Sequence, residues 1–94
     1  MNLRHNNNDL IILDVRTPDE FVRGHIEGAV NIDYFSDDFQ DKLVCTLDKE
    51  SKLLVCCGSG RRSREAMDIL KELGYSNLQN LEGGLAAWAG DLVT

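Results

Sequence analysis

Long apolar runs are missing from this 94-residue chain. The two longest, Leu53 to Cys57 and Leu85 to Ala89, fall far short of the roughly 18 residues that suggest a membrane span, so no membrane partner is expected. The opening stretch, Met1 to Asp9, has no apolar core; as it stands it does not read as a secretory signal, and a cytoplasmic location is expected. Basic charge is also in short supply. Ten Lys and Arg stand against 16 Asp and Glu, a formal net charge of −6, which disfavours nucleic acid or an anionic membrane surface as the main partner. The three cysteines, Cys45, Cys56 and Cys57, are an odd number with no C-x-x-C pair and no metal-ligand spacing, so no metal site is implied. A vicinal Cys56–Cys57 disulfide would distort both ordinary disulfide geometry and the peptide bond inside its ring. No internal repeat, linker or domain break is visible, and Asn6-Asn7-Asn8 reads as a turn. With 43% hydrophobic residues, residues 1–94 are expected to form one domain.

Strand and helix signals alternate along the chain. Leu10 to Leu13 and Leu53 to Cys56 are short continuous apolar runs, as expected of strands covered on both faces of a parallel sheet. Ala29 to Ile32 and Leu78 to Leu81 are weaker strand candidates. Thr17-Pro18-Asp19-Glu20 offers Thr at the N-cap, Pro at the first helical position and Glu at the third, a capping box, with Gly24 as a stop. A second helix is expected within Ser36 to Leu47, where Phe39, Leu43 and Leu47 recur at helical spacing. A third, from about Ser63 to Leu73, carries Ala66, Ile69, Leu70 and Leu73 on one face, with Gly74 just past its end. After Gly83-Gly84, the segment Leu85 to Trp88 reads as a final helical turn or two. The alternation predicts an α/β fold with a largely parallel sheet.

The densest chemistry lies at Cys57-Gly58-Ser59-Gly60-Arg61-Arg62-Ser63. A buried strand ends at a cysteine, passes through a glycine-rich loop and leads into a helix. Ligands in open α/β sheets bind outside the carboxyl ends of strands. Gly58 and Gly60 let successive N–H groups turn inward as an anion nest, and the helix N-terminus adds partial positive charge. Cys57 at the mouth of such a loop is expected to be a nucleophile. Three of the ten basic residues, Arg61, Arg62 and Arg64, crowd here. A local cationic site on an acidic body suits a small anion, or a recess on a partner protein. Ser59 could bond the anion or steady the thiolate, and Arg62 could bridge loop carbonyls or a carboxylate.

In three ordered blocks the chain resembles the rhodanese family of sulfurtransferases: Leu13 to Phe21 with Gly24 to Ala29, then Val55 to Ser63, then Leu81 to Gly84 with Ala87-Trp88. The resemblance implies a three-layer α/β fold with a largely parallel sheet of four to five strands flanked by helices. The strand and helix that usually open the family are expected to be missing, since only nine residues precede Leu10. An exposed sheet edge would then favour weak homo-oligomers. The chemistry implied is ping-pong transfer: a thiolate takes a sulfane sulfur from a donor, holds it as a persulfide and passes it to a nucleophile. Counted from Cys57, Arg62 closes a C-x4-R loop, similar to the sulfurtransferase length. Counted from Cys56 it closes C-x5-R, the spacing of the related dual-specificity phosphatases.

Cys57 is therefore the expected catalytic residue, with Gly58, Ser59, Gly60, Arg61 and Arg62 as the persulfide- and substrate-binding loop, and Asp14, Arg16 and Ser63 in support. Asp14 and Arg16 are expected to tie neighbouring turns together, His25 to belong to a turn, and Cys45 and Cys56 to pack, or else to resolve the persulfide as a disulfide. Gly83 and Gly84 are expected to make a tight turn beside the loop, and Trp88 to fill an edge of the core. The reading calls for a small anionic donor such as thiosulfate and a thiol or cyanide acceptor, a role open to a protein, with no metal or organic cofactor. Its alternatives are a sulfur carrier fed by a protein partner, and a cysteine-dependent phosphatase.

Overall fold

A computed structural model describes residues 10–58, 61–81, 83–88 and 90–94. The expectations for the Asn6 to Asn8 turn, and for an absent first strand and helix, fall on residues 1–9 and lie outside those described. Four strands, β1 (Leu10–Asp14), β2 (Val30–Asn31), β3 (Lys52–Cys56) and β4 (Leu78–Asn80), alternate with three α-helices, α1 (Pro18–Val22), α2 (Phe39–Thr46) and α3 (Arg61–Glu72). A 3-10 turn follows over Gly84–Ala87. The sheet is parallel at every pairing, in the order β2-β1-β3-β4. Among the described residues no helix is long and apolar enough to cross a membrane.

Register decides which face each residue takes. Ile11 pairs with Leu53 and Leu13 with Val55, and these point to the face that receives α2 and α3. There Leu13, Val15, Leu53, Val55 and Cys57 join Phe39, Leu43 and Leu47 from one helical segment, and Ala66 and Leu70 from the other, in one buried cluster. Asp14 pairs with Cys56, and side chains alternate along a strand, so these two share the opposite face. Coverage is uneven: Leu10 is 46% exposed, and Ile12 and Leu54 are only partly buried. Full burial on both faces is thus confined to the carboxyl ends of β1 and β3, not the whole runs.

Local chemistry accounts for the helix ends. The Thr17 hydroxyl accepts the Glu20 N–H at 3.3 Å while Glu20 Oε1 accepts the Thr17 N–H at 3.0 Å, so the expected capping box is formed. At the far end of α3, Gly74 takes φ +104°. The Gly74 N–H donates to the Lys71 carbonyl and the Tyr75 N–H to that of Leu70, a Schellman closure. That turn drives Tyr75 into the core at 1% exposure, where its hydroxyl donates to the Leu47 carbonyl at 2.6 Å, with the Leu43 carbonyl 3.0 Å away. The end of one helix is thereby tied to the end of the other.

Three expectations need correction. Helix α3 begins at Arg61, not Ser63, because arginine is a good helix former; both arginines are first-turn residues. Helix α2 is shorter than the Ser36 to Leu47 window, starting at Phe39. Trp88 stays partly exposed, its indole N–H 3.4 Å from the Asp91 carbonyl, instead of filling a core edge.

Candidate active site

Cys57 follows β3 directly, at the carboxyl end of the sheet. Its side chain is fully buried, which corrects the expectation of a thiol at the mouth of the loop. The Ser63 N–H, in the first turn of α3, donates to Cys57 Sγ at 3.4 Å, and Ser63 Oγ lies 3.7 Å from the same sulfur. The expected contribution of a helix N-terminus thus reaches the sulfur as a definite N–H donor. Beyond Ser63 stands Asn80, the last residue of β4, whose Oδ1 accepts a short hydrogen bond from the Ser63 hydroxyl.

The two adjacent cysteines face opposite sides of the sheet. Cys56 faces the other side of the sheet beside Asp14, and burial, reinforced by that carboxylate, pushes its thiol up to about 12. A thiol so reluctant to ionise is a poor nucleophile at neutral pH. Cys45 is exposed on α2, which corrects the expectation that it packs.

Arg62 pairs its charge with a carboxylate from outside the loop. Its guanidinium forms a two-pronged pair with Glu20 of α1, at 2.9 Å and 3.1 Å, and its Cζ lies 5.5 Å from the centre of the Phe35 ring. This is the carboxylate-bridging option for Arg62, with the carboxylate 42 residues upstream. Arg62, helped by the Thr17 N–H, holds the Glu20 carboxyl down at about 2. Glu20 therefore has a role that its capping position did not reveal. Arg61 is exposed, and with Phe35, Arg62 and Glu65 it lines a hollow of about 360 Å³ beside the loop.

Asp14 and Arg16 sit one strand over and are spent on each other. Arg16 Nη2 meets Asp14 Oδ2 at 2.8 Å and the Gly24 carbonyl at 2.7 Å, while its Nε and backbone N–H reach Asp14 Oδ1. The hydrogen bond to Asp14 raises the Arg16 pKa further. The pair clamps the end of β1 to the turn after α1. His25 lies in that turn, stacked on Phe21 with ring centroids 3.7 Å apart, its Nδ1 2.8 Å from the Phe21 carbonyl.

Of the expected loop, Ser59 and Gly60 lie outside the described residues. Gly58 is present, partly buried, and the Gly83-Gly84 turn packs on it. Gly84 takes φ +66°, and a Cβ built there would lie 2.5 Å from the carbonyl oxygens of both Cys57 and Gly58. The Leu85 N–H donates to the Cys57 carbonyl at 2.7 Å. Close approach of two backbones is why this position is glycine.

Ser63 comes together with Cys57 as expected, whereas Asn80 and Glu20 were missed. Only the position of Asn80 at a strand end signalled it; a carboxylate for Arg62 was foreseen without being identified.

The geometry can be set beside known proteins. A family model for the rhodanese-like domain matches residues 1–91. The chain is 38% identical over 86 residues to the mitochondrial protein HIGH ARSENIC CONTENT 1 of Arabidopsis thaliana, covering 81% of this chain and 50% of that protein. It is 35% identical over 86 residues to the chloroplastic thiosulfate sulfurtransferase 16 of the same plant, covering 82% of this chain and 72% of the relative. It thus spans about half the length of one relative and under three quarters of the other. A rhodanese-related protein from Thermoplasma volcanium superposes with a TM-score of 0.80 at 32% identity, over 97% of this chain and 90% of that one. With its parallel sheet, its cysteine-to-helix loop and these matches, the chain belongs to the rhodanese-like domain family, a family of rhodanese-type sulfurtransferases.

Proposed function

We propose that the protein moves a sulfane sulfur from thiosulfate, or a related persulfide donor, to a thiol or cyanide acceptor through a persulfide on Cys57. The observation that carries this is the setting of Cys57 Sγ: at the carboxyl end of the sheet, receiving an N–H from the first turn of α3, while its neighbour Cys56 is turned away and held protonated.

In the first half-reaction the Cys57 thiolate attacks the outer sulfur of the donor. A new Sγ–S bond forms, the donor S–S bond breaks, and the rest of the donor departs with the electron pair, as sulfite from thiosulfate or as a thiolate from a persulfide. The outer sulfur of the persulfide keeps the negative charge, and in this reading N–H groups of the loop hold it. In the second, the acceptor attacks that outer sulfur; the Sγ–S bond breaks and its electrons return to Cys57 as thiolate. Arg61, exposed beside the loop, draws the anionic donor in. Arg62, paired with Glu20, fixes the first turn of α3 in place. No step calls on a metal or organic cofactor. The phosphatase reading is disfavoured because C-x5-R spacing counts from Cys56, whose thiol is the reluctant one.

The test is mass spectrometry of reduced protein after thiosulfate and then cyanide, with peptide mapping and a Cys57→Ser control. One sulfur added at Cys57 and removed by cyanide is expected. Absence of the adduct, or an adduct that survives Cys57→Ser, refutes the reading. Loading by a partner persulfide alone would mark a protein-fed carrier instead.

A further inference from the structure

The transfer steps leave one polar chain beside the sulfur unused. Ser63 Oγ lies 3.7 Å from Cys57 Sγ and donates a short hydrogen bond to Asn80 Oδ1. Two elements supply it: Ser63 is buried in the first turn of α3 and Asn80 ends the neighbouring strand β4. A serine hydroxyl has one proton. With Asn80 Oδ1 as its acceptor, that proton points away from the sulfur. Ser63 Oγ then offers Sγ a lone pair, which can accept an S–H but cannot donate to a thiolate.

We propose, building on the reading of Cys57 as the sulfur-carrying nucleophile, that Asn80 is a positioning residue for Cys57, acting through Ser63 to govern how readily the thiol gives up its proton. The other groups around the sulfur act in both directions. The Ser63 N–H favours the thiolate at 3.4 Å, and so does Arg62 of α3, whose charge is partly met by Glu20 of α1. Cys56 of β3, held protonated, and Asp14 of β1, paired with Arg16, lie on the opposite face. Against that background, the hydrogen bond from Ser63 to Asn80 sets which way the hydroxyl proton points.

The experiment titrates the thiolate of Cys57 by its ultraviolet absorbance, taken against the matching Cys57→Ser protein, in the whole chain carrying Cys45→Ser. Asn80→Ala removes the oxygen that accepts the Ser63 proton, and the hydroxyl can then turn toward the sulfur. The midpoint should fall by about one pH unit, the order expected of one hydrogen bond to a charged group. In a Ser63→Ala background the same substitution should leave the midpoint where it is. Asn80→Val suits a strand and should give the same downward shift, and it serves if the alanine variant does not fold. Asn80→Asp keeps the acceptor and should not lower the midpoint. An unmoved or raised midpoint in the alanine or valine variant, or a shift that persists without the Ser63 hydroxyl, overturns the proposal. The titration needs no donor, so a protein that shows these shifts yet takes no sulfur would refute the sulfurtransferase reading while leaving the role of Asn80 intact.

Discussion

Adding one methyl group at Gly84 should disturb the candidate active site more than the same change at any open turn, and Gly28 provides the comparison. Both glycines have positive φ, +66° and +84°, but a Cβ at Gly28 would meet nothing within 4 Å. Gly28→Ala therefore carries the left-handed backbone cost alone, about 1 kcal/mol. At Gly84 the methyl would stand 2.5 Å from two carbonyl oxygens and 2.6 Å from the Gly58 carbonyl carbon. Ordinary contact requires separations near 3.4 Å or more, so the turn must back away by close to an ångström. Backbone atoms cannot rotate aside as a side-chain tip can, and forced overpacking adds about 1–3 kcal/mol. The sum for Gly84→Ala is about 2–4 kcal/mol. For a domain of this size each kcal/mol lowers Tm by about 4–8 °C. Gly84→Ala should thus melt roughly 10–30 °C below the parent, against about 4–8 °C for Gly28→Ala. Calorimetry of the three proteins reads this directly. Because the clash presses on the Cys57 carbonyl, sulfur loading by thiosulfate should also slow in Gly84→Ala but not in Gly28→Ala. Equal melting losses for the two variants would refute the close-approach argument.

Acid should weaken the Glu20–Arg62 pair in a defined window. The folded Glu20 carboxyl, held at about 2 against an ordinary value of 4.5, contributes stability that is complete above pH 4.5 and is lost as pH falls toward 2. For so exposed a pair the gain is only about 1 kcal/mol. The stability difference between parent and Glu20→Gln, from urea titrations at several pH values, should be flat above pH 5 and shrink below 4.5; a difference that does not shrink would exclude the pair as its source. Tyr75→Phe removes the hydroxyl that donates to the Leu47 carbonyl at 2.6 Å, with the Leu43 carbonyl 3.0 Å away, and should cost about 1–3 kcal/mol in urea denaturation; no loss would show that the Leu47 carbonyl is satisfied otherwise. Asp14→Asn leaves the guanidinium of Arg16 buried without its counter-charge and should cost about 3–5 kcal/mol in urea denaturation; a loss under about 1 kcal/mol would count against a structural clamp.

Much of the frame was legible along the chain because the forces behind it are local. The capping box at Thr17 and Glu20 joins groups three residues apart, and the end of α3 at Gly74 needs only the conformation open to glycine. The apolar face of α3 follows from periodicity. The loop after β3 was readable because a strand, a cysteine, glycines and a helix occur in sequence order. Strand limits were less legible: Ala29 to Ile32 narrows to Val30–Asn31, since pairing with β1, not composition, sets how far the ladder runs.

By itself the sequence determined the order of elements, the position of Cys57 at a strand end and the helix that follows it, all of which depend on groups a few residues apart. Tertiary structure alone decided what surrounds each of two adjacent thiols, because parallel register puts Cys56 beside Asp14 on one face of the sheet and sends Cys57 to the other. It also decided that Arg62 finds Glu20, 42 residues away, and that Asn80 meets Ser63 across 17. Those partners are chosen by the packing of α1, α3 and β4 around one strand end, and distance in space carries no mark in distance along the chain.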